Sequence, residues 1–291
     1  MLTALEKAGI LTEALPYIQS FAGKTIVIKY GGHAMTDPQL EETILKDIIL
    51  MKLVGMNPVV VHGGGPAIDS WLKKLNIESK FINGLRVTDE ATMELVEMVL
   101  AGKINKGIIS RINSFGGKAI GLCGKDGRLI EAKKKTNTPD LGLVGEVVRI
   151  NPEIINTLTG QGYIPVVSPI GTGEQGETLN INADYVAGAL GGALQAHKMV
   201  LLTDVEGIYL GDGPSTLVSR LTKQETYKMI KSGVIKGGMI PKAESCLFAL
   251  EKGVENVHII DGRKPHSLLL EIFTKEGIGT MILKDPLPGE V

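Results

Sequence analysis

Short apolar runs alternate along this chain with longer stretches in which apolar residues recur every three or four positions. "TIVIKY", "PVVVH", "KAIGLC", "YIPVVSPI", "KMVLLTDV" and "NVHIID" read as strands. "QLEETILKDIILMKLVG", "DEATMELVEMVLAGKINKGIISRINSFG" and "ADYVAGALGGALQA" read as helices. Strands that are apolar on both faces predict an α/β chain with a parallel sheet between two helix layers. The order changes after Gly124. Asp126-Gly127 in "GKDGRLIEAKKK" is a hairpin turn signal, and "TNTPDLGLVGEVVRINPEII" continues as a short antiparallel excursion. Before the first strand, Leu2, Leu5, Leu11, Leu15 and Ile18 form an apolar stripe at helical spacing with little local core to cover. Pro16 fits only a first turn or a kink, so the helix is expected to restart at Thr12. The stripe packs either on its own subunit or on a partner.

Composition narrows the classes. The 291 residues suffice for one large α/β domain or two lobes, and 43% are hydrophobic. A net charge of -1 gives no support for nucleic-acid or membrane partners. Cys123 and Cys246 stand far apart with no metal-ligand spacing, which suits buried thiols in a reducing cytosol and predicts a cytoplasmic protein. Glu6 and Glu13 fall where a signal peptide needs basic and then apolar residues. No apolar run approaches the roughly 20 residues that span a bilayer.

Chemistry enters at two corners. In "VVVHGGGPAIDSWLKKL" a strand ends at His62, Gly63 to Gly65 permit positive φ and close approach, and Pro66 opens a helix. Free amides at such a helix start suit phosphate or carboxylate, although a tight turn with no ligand uses the same residues. In "TIVIKYGGHAM" a second strand runs into Lys29, Gly31 and Gly32, and a lysine ending a buried strand is poorly placed as a mere solvated charge. Two corners on parallel strands open on the same sheet edge and suggest one phosphate-handling site. Gly23-Lys24-Thr25 lacks the first glycine of a Walker A loop, since Ile18 stands there. "GTGEQG" puts Glu174 where a pyrophosphate would lie, and "HGGG" has no G-x-S-x-G nucleophile to serve.

Three further segments add polar groups. "GLRVTDEATM" puts Arg86 before a helix capped by Thr88 or Asp89, where a lone arginine is also an ordinary surface charge. "TLNINADYVAG" sets Asn180, Asn182 and Asp184 ahead of a small-residue helix, with Asp184 a possible N-cap. "VIKGGMIPKAES" puts Lys242 near another helix start, a position that the helix dipole disfavours unless an anion sits there.

"KYGGHAM", "VVVHGGG", "GLRVTD", "LNINAD", "LLTDVEGIY" and "GGMIPKAES" occur in the order found in the amino-acid kinases, and the chain resembles their arginine-sensitive acetylglutamate kinase branch from about Gly23 to Leu283. The resemblance implies a three-layer αβα sandwich with a mainly parallel central sheet. Residues 1–22 would be an oligomerisation helix, 23–177 an acyl-amino-acid lobe that dimerises, and 178–291 a nucleotide lobe. It implies phosphoryl transfer from ATP, with Mg2+, to the γ-carboxylate of N-acetyl-L-glutamate in arginine biosynthesis. Lys29 and Lys242 would hold the phosphoryl group, Asp184 would orient both lysines, and Gly32 and Gly64 would donate backbone N–H groups. Gly64, Gly65, Arg86 and Asn180 would hold the substrate, and no dedicated metal cage is implied. His258, Glu271 and Gly277 match the family's L-arginine site, with Tyr17 closing it. A homohexamer built as a trimer of dimers follows, with a PII signalling protein as a further candidate partner. A sibling kinase with another substrate, or a non-catalytic amino-acid sensor, remain the alternatives.

Overall fold

Thr3 opens the first helix with a capping box, its hydroxyl accepting from the Glu6 N–H while the Glu6 carboxylate accepts from the Thr3 N–H. In the computed structural model, which describes residues 3–285 except 83, 137, 138, 212, 214, 215, 275 and 276, α1 spans Ala4–Glu13 and α2 spans Leu15–Phe21. The restart thus comes at Ala14 and not at Thr12, whose hydroxyl instead bonds back to the carbonyls of Ala8 and Gly9 inside α1. Leu2 of the expected stripe lies outside the described residues.

Two βα units follow. β1 (Thr25–Tyr30) leads to α3 (Pro38–Leu53), which Asp37 caps by accepting from the Gln39 and Leu40 N–H groups. β2 (Asn57–His62) leads to α4 (Gly65–Lys74). A hairpin of β3 (Phe81–Ile82) and β4 (Leu85–Arg86) then precedes α5 (Glu90–Glu97), capped by Asp89. The single long helix expected here is interrupted, because Met98–Ile104 wind as a π-helix before α6 (Asn105–Ser114). After β5 (Ala119–Leu122), Asp126–Arg128 form a 3-10 turn. The expected hairpin is therefore absent at that point: the turn carries the chain out of one sheet into β6 (Ile130–Lys134) of another, where β7 (Gly145–Ile150) pairs antiparallel with it. α7 (Glu153–Gly160) and β8 (Ile164–Val167) return to the first sheet. "YIPVVSPI" breaks at Ser168-Pro169, so β9 (Ile170–Thr172) and β10 (Thr178–Asn180) join the smaller sheet. The remainder is α8 (Ala183–Ala193), β11 (Lys198–Thr203), β12 (Arg220–Thr222), α9 (Lys223–Lys231), α10 (Met239–Glu251), β13 (Asn256–Asp261), α11 (Ser267–Phe273) and β14 (Thr280–Leu283).

The main sheet has eight strands in the order β12-β14-β13-β11-β1-β2-β8-β5. From β13 to β5 every pairing is parallel, and the sheet reverses only at β13–β14. Successive β1 side chains serve opposite layers. Val27 packs with the α8 and α10 side chains Val186, Leu190, Cys246 and Leu250. Ile26 and Ile28 pack with Ile44 and Ile48 of α3, Ile108 of α6 and Leu268 of α11. The helix–sheet–helix layering matches the expectation, and buried side chains cover both faces of the sheet. The boundary expected at 177/178 falls in the turn between β9 and β10, and the main sheet continues across it through the β1–β11 pairing. Among the described residues no helix is long and apolar enough to cross a membrane.

Candidate active site

The carboxyl ends of β1 and β2 lie side by side, with Lys29 paired to Val61 and Tyr30 to His62. Both glycine corners therefore open on one cavity of about 470 Å³, as parallel α/β strands require. Lys29, Gly32, Gly64, Gly65, Arg86, Asn180 and Asp184 all line it.

Lys29 Nζ lies 2.9 Å from Asp184 Oδ1. Asp184 is available because it does not cap α8. Asn182 does, accepting from the Asp184 N–H at 2.8 Å, so the capping role considered for Asp184 belongs to its neighbour. The Lys29 contact is an ion pair without aligned hydrogen-bond geometry. Asp184 Oδ1 is buried with no hydrogen-bond partner among the described residues and keeps capacity for a further donor. Gly31 gives the lysine room, since a Cβ there would stand 2.9 Å from Nζ. Gly32 has φ +70, and a Cβ on it would collide with Asp204 Oδ1. Asp204, which follows β11, is a carboxylate that the sequence analysis passed over. Its signal was the acid ending "LLTD" beside a strand that pairs with β1.

The second corner works differently from the expectation. None of Gly63, Gly64 or Gly65 lies in the left-handed region, and Gly64 is extended at φ 173. Glycine is needed at 64 for close approach, because a Cβ would collide with Leu100 and Ile104 of the π-helix. The α4 start has no side-chain cap, and Gly64, Gly65, Pro66 and Ala67 line the cavity there.

Arg86 is buried and held on three sides. Its Nη1 donates to Asp69 Oδ1 at 2.7 Å and to Ser79 Oγ at 2.5 Å, and its guanidinium lies 4.6 Å over the Phe81 ring. Burial opposes ionisation of Asp69, but the bonds from Arg86 and Ser79 outweigh it and hold the carboxyl below its usual range. The surface-charge reading of Arg86 thus fails, and Asp69 and Ser79 are partners that no local spacing announced. Asn180 donates to Thr88 Oγ1 at 3.2 Å, which fixes its amide at the cavity wall.

Lys242 is the exception among the expected catalytic residues. It is half-buried in the first turns of α10 and does not line this cavity. Its helix packs directly on α8: Tyr185 meets Phe248 edge-on at 5.3 Å, and a Cβ on Gly188 would meet the Phe248 ring at 3.0 Å. Gly233 and Lys236 just before α10, and Met239 at its start, line a second cavity of about 700 Å³ with Ile208, Tyr209 and Gly211.

A third cavity of about 420 Å³ gathers His258 of β13, Glu271 of α11 and Gly277 of the loop that follows, with Lys198 and Arg220. His258 Nδ1 lies 2.5 Å from Glu271 Oε1, and Lys198 Nζ lies 3.0 Å from His258 Nε2. Burial pushes the His258 and Lys198 pKa values down. Burial also opposes ionisation of Glu271, yet the bond from His258 prevails and holds that carboxyl low. Tyr17 does not line this cavity. It packs edge-on against Phe273 of α11, two residues from Glu271, with ring centroids 6.5 Å apart.

An αβα sheet with an ion-paired lysine at its central strand and glycine corners on either side defines a small-molecule phosphotransferase, and the chain belongs to the amino acid kinase family, whose sequence model matches residues 24–261. Within that family it groups with the acetylglutamate kinases. The acetylglutamate kinase of Heliobacterium modesticaldum is 60% identical over 296 residues, covering 98% of this chain and all of that one. Among solved structures, the N-acetylglutamate synthase of Neisseria gonorrhoeae with coenzyme A and N-acetyl-glutamate has a TM-score of 0.84 at 26% identity over 96% of this chain. The same synthase with coenzyme A and L-arginine gives 0.81 at 26% identity over 94% of this chain. This chain spans 64% of the synthase's length.

Proposed function

We propose that this chain phosphorylates the γ-carboxylate of N-acetyl-L-glutamate with ATP, giving N-acetyl-L-glutamyl 5-phosphate and ADP in arginine biosynthesis. The observation that carries the reading is the Lys29–Asp184 pair in one cavity with Arg86 and both glycine corners. It is joined by the 60% identity to an acetylglutamate kinase. Arg86 and Asn180 hold the α-carboxylate, and Gly64 and Gly65 receive the substrate beside the α4 amides. The γ-carboxylate is already nucleophilic at neutral pH. Its oxygen attacks the γ-phosphorus, the bond to the bridging oxygen breaks, and ADP leaves with that electron pair. Catalysis then consists of positioning and of balancing charge on the phosphoryl group in flight. Lys29 and the Gly32 N–H meet it from the β1 corner, and Lys242 meets it from α10 as α10 and α8 close on the loaded site. Asp184 Oδ1, ion-paired to Lys29 but without a hydrogen bond among the described residues, is the acceptor that would also receive Lys242.

The nucleotide occupies the second cavity, whose wall runs into the helix bearing Lys242. Mg2+ travels with the phosphates. No group of three carboxylate, histidine or cysteine side chains among the described residues could cage it, so phosphates and water supply its ligands. On this division the residues before 178 supply most of the acyl-substrate wall, and the later ones supply the nucleotide wall. L-Arginine occupies the third cavity, its guanidinium pairing with Glu271, as the arginine-bound synthase of the same fold suggests. Leu5, Leu11 and Leu15 stand exposed on the N-terminal helices and form the face on which a second copy docks, linking dimers into a hexamer. Two buried free thiols suit the reducing cytosol as its setting.

A coupled ADP-release assay tests the reading. N-acetyl-L-glutamate should support turnover, and L-glutamate, L-aspartate and carbamate should not. Turnover with free glutamate and none with the acetylated acid would reassign the substrate to a sibling kinase.

A further inference from the structure

His62 is fully buried beneath the second glycine corner and does not line the substrate cavity. Its Nδ1 lies 2.8 Å from the Gly63 carbonyl oxygen, and its Nε2 lies 3.2 Å from Asn105 Nδ2. The same Asn105 amide donates to the Val166 carbonyl at 2.9 Å. The two amide hydrogens therefore go to Val166 and to His62 Nε2. That leaves Nε2 as an acceptor and Nδ1 as the protonated nitrogen that donates to Gly63. Burial keeps the ring neutral, with its pKa pushed down to about 4. In a trans peptide the C=O and the N–H point in opposite directions. Tying the Gly63 carbonyl to His62 thus turns the Gly64 N–H away from the imidazole, toward the side on which the cavity opens. The surroundings are built around this arrangement. Asn105 directly follows the π-helix whose Leu100 and Ile104 press on Gly64, and a Cβ on Gly121 would collide with Asn105 Oδ1. Insertions of this helix type recur at functional sites.

We propose that His62, locked in its Nδ1–H tautomer by Asn105, is a positioning residue that aims the Gly64 N–H at the anionic oxygen bound in the substrate cavity. The inference rests on the reading of that cavity as an acyl-amino-acid site. His62→Phe keeps the bulk and removes both bonds. His62→Asn sets an amide nitrogen close to where Nδ1 stands and keeps the donor to Gly63. With His62→Phe, kcat/KM for N-acetyl-L-glutamate should fall about 10- to 100-fold while the KM for ATP stays within about twofold, a loss of the size expected for a misaimed oxyanion donor. His62→Asn should recover most of that loss. Nitrogen-15 NMR of the imidazole in the unmodified protein at pH 7 should find Nδ1 protonated and Nε2 bare, and Asn105→Leu should erase that preference. An Nε2–H tautomer overturns the proposal, and so does a His62→Phe enzyme with unchanged constants or a His62→Asn enzyme no better than His62→Phe. Should His62→Phe fail to fold, the tautomer and the His62→Asn constants decide. An unmodified protein inactive on N-acetyl-L-glutamate would overturn the substrate reading instead, and the tautomer measurement keeps the two failures apart.

Discussion

At the residue scale, Gly32 and Arg86 make the sharpest demands. Gly32 combines a left-handed φ with a carboxylate against its Cα, so Gly32→Ala meets backbone strain and Asp204 together. We expect kcat to fall at least about 100-fold with the fold retained, measured by initial rates beside a circular dichroism melt. Arg86→Lys keeps the charge but cannot reproduce the planar contacts to Asp69, Ser79 and Phe81. The KM for N-acetyl-L-glutamate should rise about tenfold and the KM for ATP much less; equal rises would make Arg86 a structural residue only. Lys242→Ala should lower kcat by roughly 10²–10³ and leave substrate affinity nearly intact. A Lys242→Ala enzyme with normal turnover would remove this side chain from the chemistry. Lys29 was legible because a lysine ending a buried strand is hard to explain locally, whereas Arg86 and Asp184 each had an ordinary local role open and were singled out through the motifs "GLRVTD" and "LNINAD". The partners of Arg86 were not legible, because Asp69 and Ser79 reach it only through the fold, as Asp204 reaches Gly32.

At the element scale, the alternation of apolar runs specified the βα units, and β1, β2 and β13 end where a glycine follows. The π-helix at Met98–Ile104 was invisible, because one extra residue per turn leaves the apolar recurrence nearly unchanged over so short a stretch. The 3-10 turn at Asp126 was misread because Asp-Gly favours tight turning and does not specify which sheet receives the next strand. A contact between α3 and α11 carries a pH prediction. Asp47 of α3 is buried, accepts from His266 Nδ1 at 2.7 Å, and has its other oxygen unpartnered among the described residues. Burial pushes its carboxyl up to about 6, against the opposing bond from His266. The folded state therefore holds a proton that the unfolded chain has released above about pH 4. This contribution to stability is present below the unfolded value and is lost as pH rises through 6. Asp47→Asn should escape the loss, melting roughly 2–4 °C above the unmodified protein at pH 8 and level with it near pH 4. A calorimetric series in which the unmodified protein gains on the variant with rising pH would contradict this.

At the scale of the whole molecule, the third cavity and the exposed N-terminal leucines lie in separate regions of the chain, and α2 joins them by packing Tyr17 on the helix that carries Glu271. Removing residues 1–20 should leave an active enzyme that sediments as a dimer and ignores L-arginine. Sedimentation velocity together with an arginine titration tests this, and a truncated enzyme that stays hexameric and inhibited would sink it. The family relationship and the layered sheet could be read from the sequence, whereas the cavity walls arise from contacts that no local spacing shows, as when Asn180 meets Thr88. That central strand has a further consequence. β1 is hydrogen-bonded along both edges, to β2 and to β11, so no fluctuation short of dismantling the sheet can release it. Its amides belong to the slowest class of proton exchange with solvent, opening only when everything opens. Lys29 inherits that permanence. The lysine that the proposed reaction sets against the phosphoryl group is anchored to the last part of the molecule to yield, so partial opening elsewhere leaves its anchor in place.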